Sequence, residues 1–431
     1  MDASTMWRLG AFLAQRLREE HPGGGPPRVA VARDTRESGK ILAGAFGEGL
    51  REAGGDAHLL GVLPTAGLAF LTRSEGFQAG AMVTASHNPW EDNGIKIFSP
   101  DGFKLSDEDE AAVEAGILAG LVPSSASGGA LRERPELAER YAAWLASQVS
   151  MGFKGRRVVL DCAHGAASVL APELFRRLGF EARSIASSPD GRNINLGCGA
   201  VHSGFLREAV LREKAEWGVC LDGDADRAIF VTASGRVADG DEVLYLLAGA
   251  RRAAGRLAAD TVVGTVMSNA ALEAHFRREG IAFARSAVGD RYVLQELQKR
   301  GAELGGEPSG HILMLDLLTT GSGILTALKV AECLARQGQS FDEALTGFVK
   351  FPQTLKSYAL TERRPLESLP LVRRAVAEAE KELESLSGRV LVRYSGTEPK
   401  VRLMAESPDA ALNDRLVEAM ARAFRGEGLL A

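Results

Sequence analysis

Short apolar runs of strand character restart three times along this chain, each followed by a segment of helical period, and that rhythm constrains the fold most. The first run is Arg28–Ala32, with a helix expected over Ile41–Ala53 and strands near Ala57–Leu60 and Gly80–Thr84. The second starts at Arg157–Asp161, with a helix over Ala166–Leu178 and strands near Ala182–Ile185 and Gly218–Leu221. The third starts at Thr261–Val266, with a helix near Ala270–Arg278 and a strand near Phe283–Ser286. Strand–helix–strand alternation builds parallel α/β layers, and three segments of similar length point to a repeated architecture. From about Phe351 the order changes to strand, helix (Leu369–Leu386), strand (Gly388–Arg393), strand (Val401–Glu406) and helix (Asp409–Gly426), which is an α+β order. The expected fold is three similar mixed α/β domains (1–150, 151–253 and 254–348) plus a smaller C-terminal α+β domain (349–431). Linkers are expected at Val122–Ala130, around Gly249–Ala259 and at Gly347–Leu355.

Charge narrows the partners. The formal net charge of -5 supplies no global positive field for nucleic acid or anionic lipid, so an anionic small substrate needs a local basic pocket. No apolar run reaches the ~18–20 residues of a membrane helix. The N-terminal stretch, with Arg8, Arg16, Glu19 and Glu20 among its apolar residues, reads as an amphipathic helix over Thr5–Arg18 and not as a signal peptide. Cys162, Cys198, Cys220 and Cys333 form no CxxC pair, so zinc and dithiol chemistry are not expected, and buried reduced thiols fit a cytoplasmic protein.

Three polar loops follow apolar strands. Thr84-Ala85-Ser86-His87-Asn88-Pro89 stands at the carboxyl end of a strand, where open α/β sheets bind ligands. Asn88 and Pro89 end the strand and fix the loop, and Asn93-Gly94 turns into the alternating run Ile95-Lys96-Ile97-Phe98. Asp222-Gly223-Asp224-Ala225-Asp226-Arg227 follows Gly218–Leu221 and sets carboxylates at i, i+2 and i+4 on one side of an extended loop. Three such charges repel unless a cation neutralises them, and an all-oxygen set selects Mg²⁺ or Ca²⁺ over zinc. Gly305-Gly306-Glu307-Pro308-Ser309-Gly310-His311 offers Glu307 and Ser309 to hydroxyl groups and His311 as a proton carrier. In the tail, Arg393, Ser395 and Thr397, with the backbone around Gly396 and further charge from Arg402, form a plausible anion nest. Each loop taken alone is also compatible with a polar turn.

Together these strings resemble the α-D-phosphohexomutases along nearly the whole chain. The resemblance implies a four-domain enzyme, its domains set around a central cleft, that moves a phosphoryl group between the 1- and 6-positions of a hexose. It implies that Ser86 is phosphorylated, and that Asp222, Asp224, Asp226 and the phosphoserine oxygen hold one Mg²⁺. Lys96 is then a general acid/base or a phosphate clamp, and Arg227 lies near the phosphate. His311 takes part in proton transfer, while His87, Glu307 and Ser309 contact the sugar. The Arg393, Ser395, Gly396, Thr397 and Arg402 loop grips the phosphate that is not transferred. Val288-Gly289-Asp290-Arg291-Tyr292 also matches, with Arg291 either in the sugar cleft or in a structural ion pair. A sugar bisphosphate is implied as activator, sugar phosphates as ligands and a homodimer as the assembly.

Asn193-Ile194-Asn195 with Cys198-Gly199, Thr265-Val266-Met267-Ser268-Asn269 and Glu307-Pro308-Ser309-Gly310-His311 point to the glucosamine branch, whose product feeds UDP-N-acetylglucosamine and cell-wall synthesis. A mannose or glucose mutase is the alternative. Departures are Ser322 where relatives often have Asp, Tyr394 where Pro or Lys is usual, and Ala200-Val201 where Ser-Thr is common. Relatives open on a strand and a Gly-Thr-Asp-Gly-Ile-Arg-Gly loop, for which this sequence has no counterpart. Low activity, poor stability or a sugar-phosphate-binding role without turnover is the expectation that follows.

Overall fold

A computed structural model describes residues 1–118, 129–395 and 398–430. Most of the expected first linker, and Gly396 and Thr397 of the tail loop, lie outside the described residues. The chain divides into two compact units, Met1–Thr265 with Ser286–Ala344, and Val266–Arg285 with Leu345–Ala431.

The larger unit repeats one sheet pattern. Its first sheet holds β1 (Arg28–Arg33), β2 (Asp56–Val62), β3 (Ala79–Val83), β4 (Ile95–Phe98) and β5 (Leu131–Glu133), in the order β4-β3-β1-β2-β5. β1 runs parallel to β2 and β3, and β4 is antiparallel to β3. The second holds β6 (Arg157–Asp161), β7 (Glu181–Ile185), β8 (Trp217–Leu221), β9 (Ala228–Thr232) and β10 (Val237–Ala238), in the order β10-β9-β8-β6-β7. β6 is parallel to β7 and β8, and β9 is antiparallel to β8. A third copy pairs Thr261–Thr265 parallel to Leu304–Gly306, which is antiparallel to Ile312–Met314. In all three the third strand hands the chain to an antiparallel fourth. The connections at that step are the Ser86 loop, the Asp222–Asp226 loop and the Glu307–His311 loop. One architecture, used three times, thus delivers three chemically different loops from equivalent positions.

The strands that carry these loops lie deep in the fold. Every residue of β3, β8 and β9 is buried, as expected of strands covered on both faces. The helices Ala3–Glu20 and Gly39–Glu52 cover the first sheet around Met6, Leu9, Leu13, Phe46 and Leu50. They meet backbone to backbone: a Cβ on Gly10 would lie 2.0 Å from the Phe46 carbonyl oxygen, and one on Gly49 1.9 Å from that of Trp7. All four cysteines are buried and free. Among the described residues, no helix is long and apolar enough to cross a membrane.

Two local expectations need correction. The helix expected over Ala166–Leu178 begins only at Leu170. Ala163 and His164 adopt positive φ, and the Ala166 amide donates to the Gly223 carbonyl, so this stretch supports the acidic loop before the helix begins. The linker expected around Gly249–Ala259 is helical through Ala253, because the helix Gly240–Ala253 runs on from a capping box of Asp239 and Glu242.

The smaller unit is a three-stranded antiparallel sheet with Lys400–Glu406 between Gln353–Ala359 and Arg389–Tyr394. The helices Pro370–Glu384 and Ala410–Gly426 close a core of Leu369, Leu383, Val401, Leu403, Met420 and Phe424.

Candidate active site

The Ser86 loop is held from below by buried polar groups. Ser86 has a left-handed φ of 50°, an uncommon state for a residue with a Cβ. Its amide donates to Thr84 Oγ1 at 2.9 Å, and Thr84 Oγ1 donates to Asp34 Oδ2 at 2.7 Å. Burial pushes the Asp34 carboxyl up in pKa, an effect opposed by the Arg36 guanidinium beside it. The Ser86 hydroxyl is thereby directed at the acidic loop, donating to Asp222 Oδ2 at 2.6 Å.

Asp222, Asp224 and Asp226 converge, each offering an oxygen within 4.8 Å of the others. Their loop backbone is fixed from three sides: the Gly223 carbonyl accepts from Ala166, that of Asp224 from Thr65 and that of Ala225 from Gly323. The Lys96 ammonium donates to Asp224 Oδ2 at 2.7 Å and Asp226 Oδ2 at 3.1 Å. Burial alone would weaken the hold of Lys96 on its proton, but Asp224 and Asp226 outweigh it and raise its pKa. Burial and the neighbouring Asp226 and Asp224 push Asp222 well up, whereas Lys96 and His311 overcome burial and hold Asp226 well down. Asp224 Oδ1 and Asp226 Oδ1 are buried without a hydrogen-bond partner. Two unsatisfied carboxylate oxygens in an all-oxygen set fit a hard divalent cation.

The other loops adjoin this cluster. Arg227 and His311 form a backbone bridge, so the acidic loop and the Glu307–His311 loop are paired. Arg227 Nε lies 4.0 Å from Asp222 Oδ2 and is itself buried without a partner. The His311 ring stands between Asp226 (3.6 Å from Nδ1) and Asp290 (3.7 Å from Nε2). Lys104 pairs with Asp290, and with His311 it overcomes burial to bring that carboxyl down to about 2. Glu307 Oε1 accepts from the Gly289 amide at 2.9 Å, and Ser309 Oγ and His87 Nδ1 are buried without partners. Burial, then Arg227, lowers the His87 pKa.

Arg291 is placed elsewhere than in a free sugar-facing position. Its guanidinium pairs with Asp107 and Glu110 and donates to the Leu105 carbonyl, so of its two readings the ion pair is the one its neighbours support.

In the smaller unit, Arg393 and Arg402 are directly opposite each other across antiparallel strands. Like charges paired this way repel, and an anion between them would relieve that. Ser395 is buried beside them, its amide donating to the Lys400 carbonyl at 2.8 Å. Tyr394 donates its hydroxyl to the Arg364 carbonyl, which accounts for an aromatic residue at that position.

Family descriptions of phosphoglucomutase/phosphomannomutase match in four parts: alpha/beta/alpha domain I over residues 1–121, domain II over 139–235, domain III over 239–351 and the C-terminal domain over 355–423. Phosphoglucosamine mutase of Koribacter versatilis is 44% identical over 99% of this chain and 93% of its own length. That of Methylococcus capsulatus is 45% identical over 97% and 93%. The chain belongs to the phosphoglucomutase/phosphomannomutase family, among its phosphoglucosamine mutases. The three α/β domains and smaller C-terminal domain expected from the sequence are the family's architecture. A solved family protein of Burkholderia thailandensis superposes with a TM-score of 0.82 at 26% identity, covering 100% of this chain and 96% of the other. Aspergillus fumigatus N-acetylphosphoglucosamine mutase, solved with GlcNAc-6P and magnesium, shares the fold at a TM-score of 0.66 and 21% identity, over 84% of this chain and 92% of its own.

Against the family pattern, Ser322 has a local reason. It caps the helix Gly323–Gln337, accepting from the Leu325 amide at 3.2 Å, and lies 3.1 Å from the Tyr141 hydroxyl. The sequence reading passed over Arg36, Asn195, Thr65 and Lys104 as parts of the site. Of these, Asn195 stands in a string that carried the resemblance, but only the burial of Arg36, Asn195 and Thr65 against the loops reveals a role.

Proposed function

We propose that this protein interconverts glucosamine 6-phosphate and glucosamine 1-phosphate through phospho-Ser86, Mg²⁺ and a bisphosphorylated sugar. The observation that carries this reading is the Ser86 hydroxyl 2.6 Å from one of three buried carboxylates whose other two members share the Lys96 ammonium. Cleaving a phosphate monoester is among the slowest of reactions, and positioning and fixed charge do most of the catalytic work.

In the first half-reaction a sugar hydroxyl oxygen attacks the phosphorus of phospho-Ser86. The new P–O bond forms as the P–Oγ bond breaks. The hydroxyl proton passes to His311, and Lys96, kept as an ammonium, is the acid on the serine side. In the second half-reaction Ser86 Oγ attacks the other phosphate of the bisphosphate and returns its proton to Lys96, the P–O bond to the sugar breaks, and His311 gives its proton to the departing sugar oxygen. Asp222, Asp224, Asp226 and the phosphoserine oxygen would hold the metal ion, which supplies positive charge to the transferring group. Arg227 adjoins that group; His87, Glu307 and Ser309 contact the sugar; Arg393, Ser395, Gly396, Thr397 and Arg402 hold the distal phosphate.

The test is ³¹P NMR of the protein with Mg²⁺, glucosamine 6-phosphate and a trace of bisphosphate, beside glucose and mannose phosphates and a Ser86→Ala sample. The 1-phosphate should form fastest with glucosamine and not at all with Ser86→Ala. Faster conversion of glucose or mannose phosphate would move the protein to another branch, and binding without conversion would make it a sensor.

A further inference from the structure

The Ser86 loop is gripped by two side chains that the reaction described above does not use. Arg36 is 1% exposed, yet all five of its guanidinium N–H donors are taken. Nε donates to Asp34 Oδ2 at 2.9 Å, which supplies the counter-charge. One terminal nitrogen donates to the carbonyls of Pro89 and of Asp92, the latter at 3.0 Å. The other donates to the carbonyls of Ser86 (3.0 Å) and Asn88 (2.9 Å). From the second α/β repeat, Asn195 Nδ2 donates to the same two carbonyls, Ser86 at 2.9 Å and Asn88 at 3.0 Å.

Each of these two carbonyls is therefore held twice, once by a charged donor of the first repeat and once by a neutral donor of the second. Asn195 is itself fixed: it is 7% exposed, has a φ of 60°, and its amide donates to the Ala163 carbonyl at 2.9 Å. The acidic loop closes the arrangement, since a Cβ on Gly223 would fall 2.5 Å from the Ser86 carbonyl oxygen and 2.9 Å from Asn195 Nδ2. Left-handed backbone at a residue with a side chain persists only where its surroundings over-determine it. The Ser86 carbonyl is fixed in this double grip while its hydroxyl reaches Asp222.

We propose that Arg36 and Asn195 are positioning residues that lock Ser86 in its left-handed conformation and so hold the phosphoryl-carrying oxygen against the acidic triad. This gives the Asn193-Ile194-Asn195 string a physical role. The proposal rests on the mutase reading for its kinetic consequence, but not for its structural one.

The test pairs hydrogen exchange with kinetics on Asn195→Ala, which removes no buried charge, and on Arg36→Lys, which keeps the charge but supplies at most three donors. In both variants amide exchange across residues 84–94 should quicken about 10-fold while β6 and β8 exchange as in the parent, since the loop loses fixed hydrogen bonds. Phosphorylation of Ser86 by sugar bisphosphate should slow by about 10–100-fold with KM for the sugar phosphate within about twofold, as expected when a reacting atom is misplaced. Unchanged exchange over 84–94 in Asn195→Ala would overturn the proposal, and so would a rise in KM with the phosphorylation rate intact. Faster exchange in a protein whose parent form does not convert sugar phosphates would uphold the grip and sink the mutase reading instead.

Discussion

The backbone of Gly223 packs against Ser86 so closely that any side chain there would strike the serine carbonyl. The metal loop and the nucleophile loop come from different repeats, yet they touch where neither has atoms to spare. Gly223→Ala should therefore push the two loops apart without touching a ligand. We expect Mg²⁺ affinity and turnover to fall together, turnover by about 100-fold, which a displacement of about 1 Å can cost. Calorimetric metal titration beside the NMR assay checks this; retention of both at parental values would count against the assigned contact.

Lys96 competes with any cation for Asp224 and Asp226. Removing its charge in Lys96→Gln should tighten Mg²⁺ binding, while turnover drops by about 10²–10⁴-fold for loss of an acid–base or charge-stabilising group. Opposite signs in affinity and rate are the signature. Weaker metal binding would mean that Lys96 supports the metal site instead of counterbalancing it.

Arg393 and Arg402 face each other in the smaller unit, and their repulsion predicts another pair of opposite effects. Without anions, Arg402→Gln should leave stability unchanged or raise it by about 0.2–1 kcal/mol. Inorganic phosphate should stabilise the parent protein thermally and the variant much less, and the variant's KM for sugar phosphate should rise. Equal stabilisation of both by phosphate would remove Arg402 from the anion site.

Glu332 gives a pH test away from the site. It accepts from Arg336 at 3.0 Å, Lys329 at 3.2 Å and Ser150 Oγ at 2.9 Å. Burial would raise its pKa, but Arg336 and Lys329 prevail and bring it down to about 2. That lies below the unfolded value of about 4.3, so the stabilisation is complete above that pH and drains away as pH falls toward 2. Discounted for solvent around the exposed Arg336, it is worth about 1–2 kcal/mol. Urea unfolding should show Glu332→Gln less stable by this amount at pH 7, with the gap roughly halved near pH 3 and closing only as pH falls below about 2.

The loops that carry chemistry were legible because each is a short contiguous string at the end of a strand. Ser86, Asp222, Asp224 and Asp226 come together because three copies of one sheet pattern place their third-to-fourth-strand loops equivalently. The grip of Arg36 was not legible, since nothing local distinguishes an arginine that will be fully buried from one on the surface. Gly249 misled for a related reason. It suggested a linker, but it sits in a helix with open space where a Cβ would be, and it costs only about 1 kcal/mol of helix propensity. Arg291 is drawn to Asp107 and Glu110, far away in sequence, and no spacing rule announces that pairing.

Ser86 is the proposed carrier of the phosphoryl group between sugar positions. The direct measurement incubates the protein with glucosamine bisphosphate labelled in its phosphates, removes excess label, maps the labelled peptide and then adds unlabelled glucosamine 6-phosphate. Label is expected on Ser86 and should leave the protein as sugar bisphosphate when the monophosphate is added. Label on Asp222, or release of inorganic phosphate from an unlabelled Ser86, would contradict it.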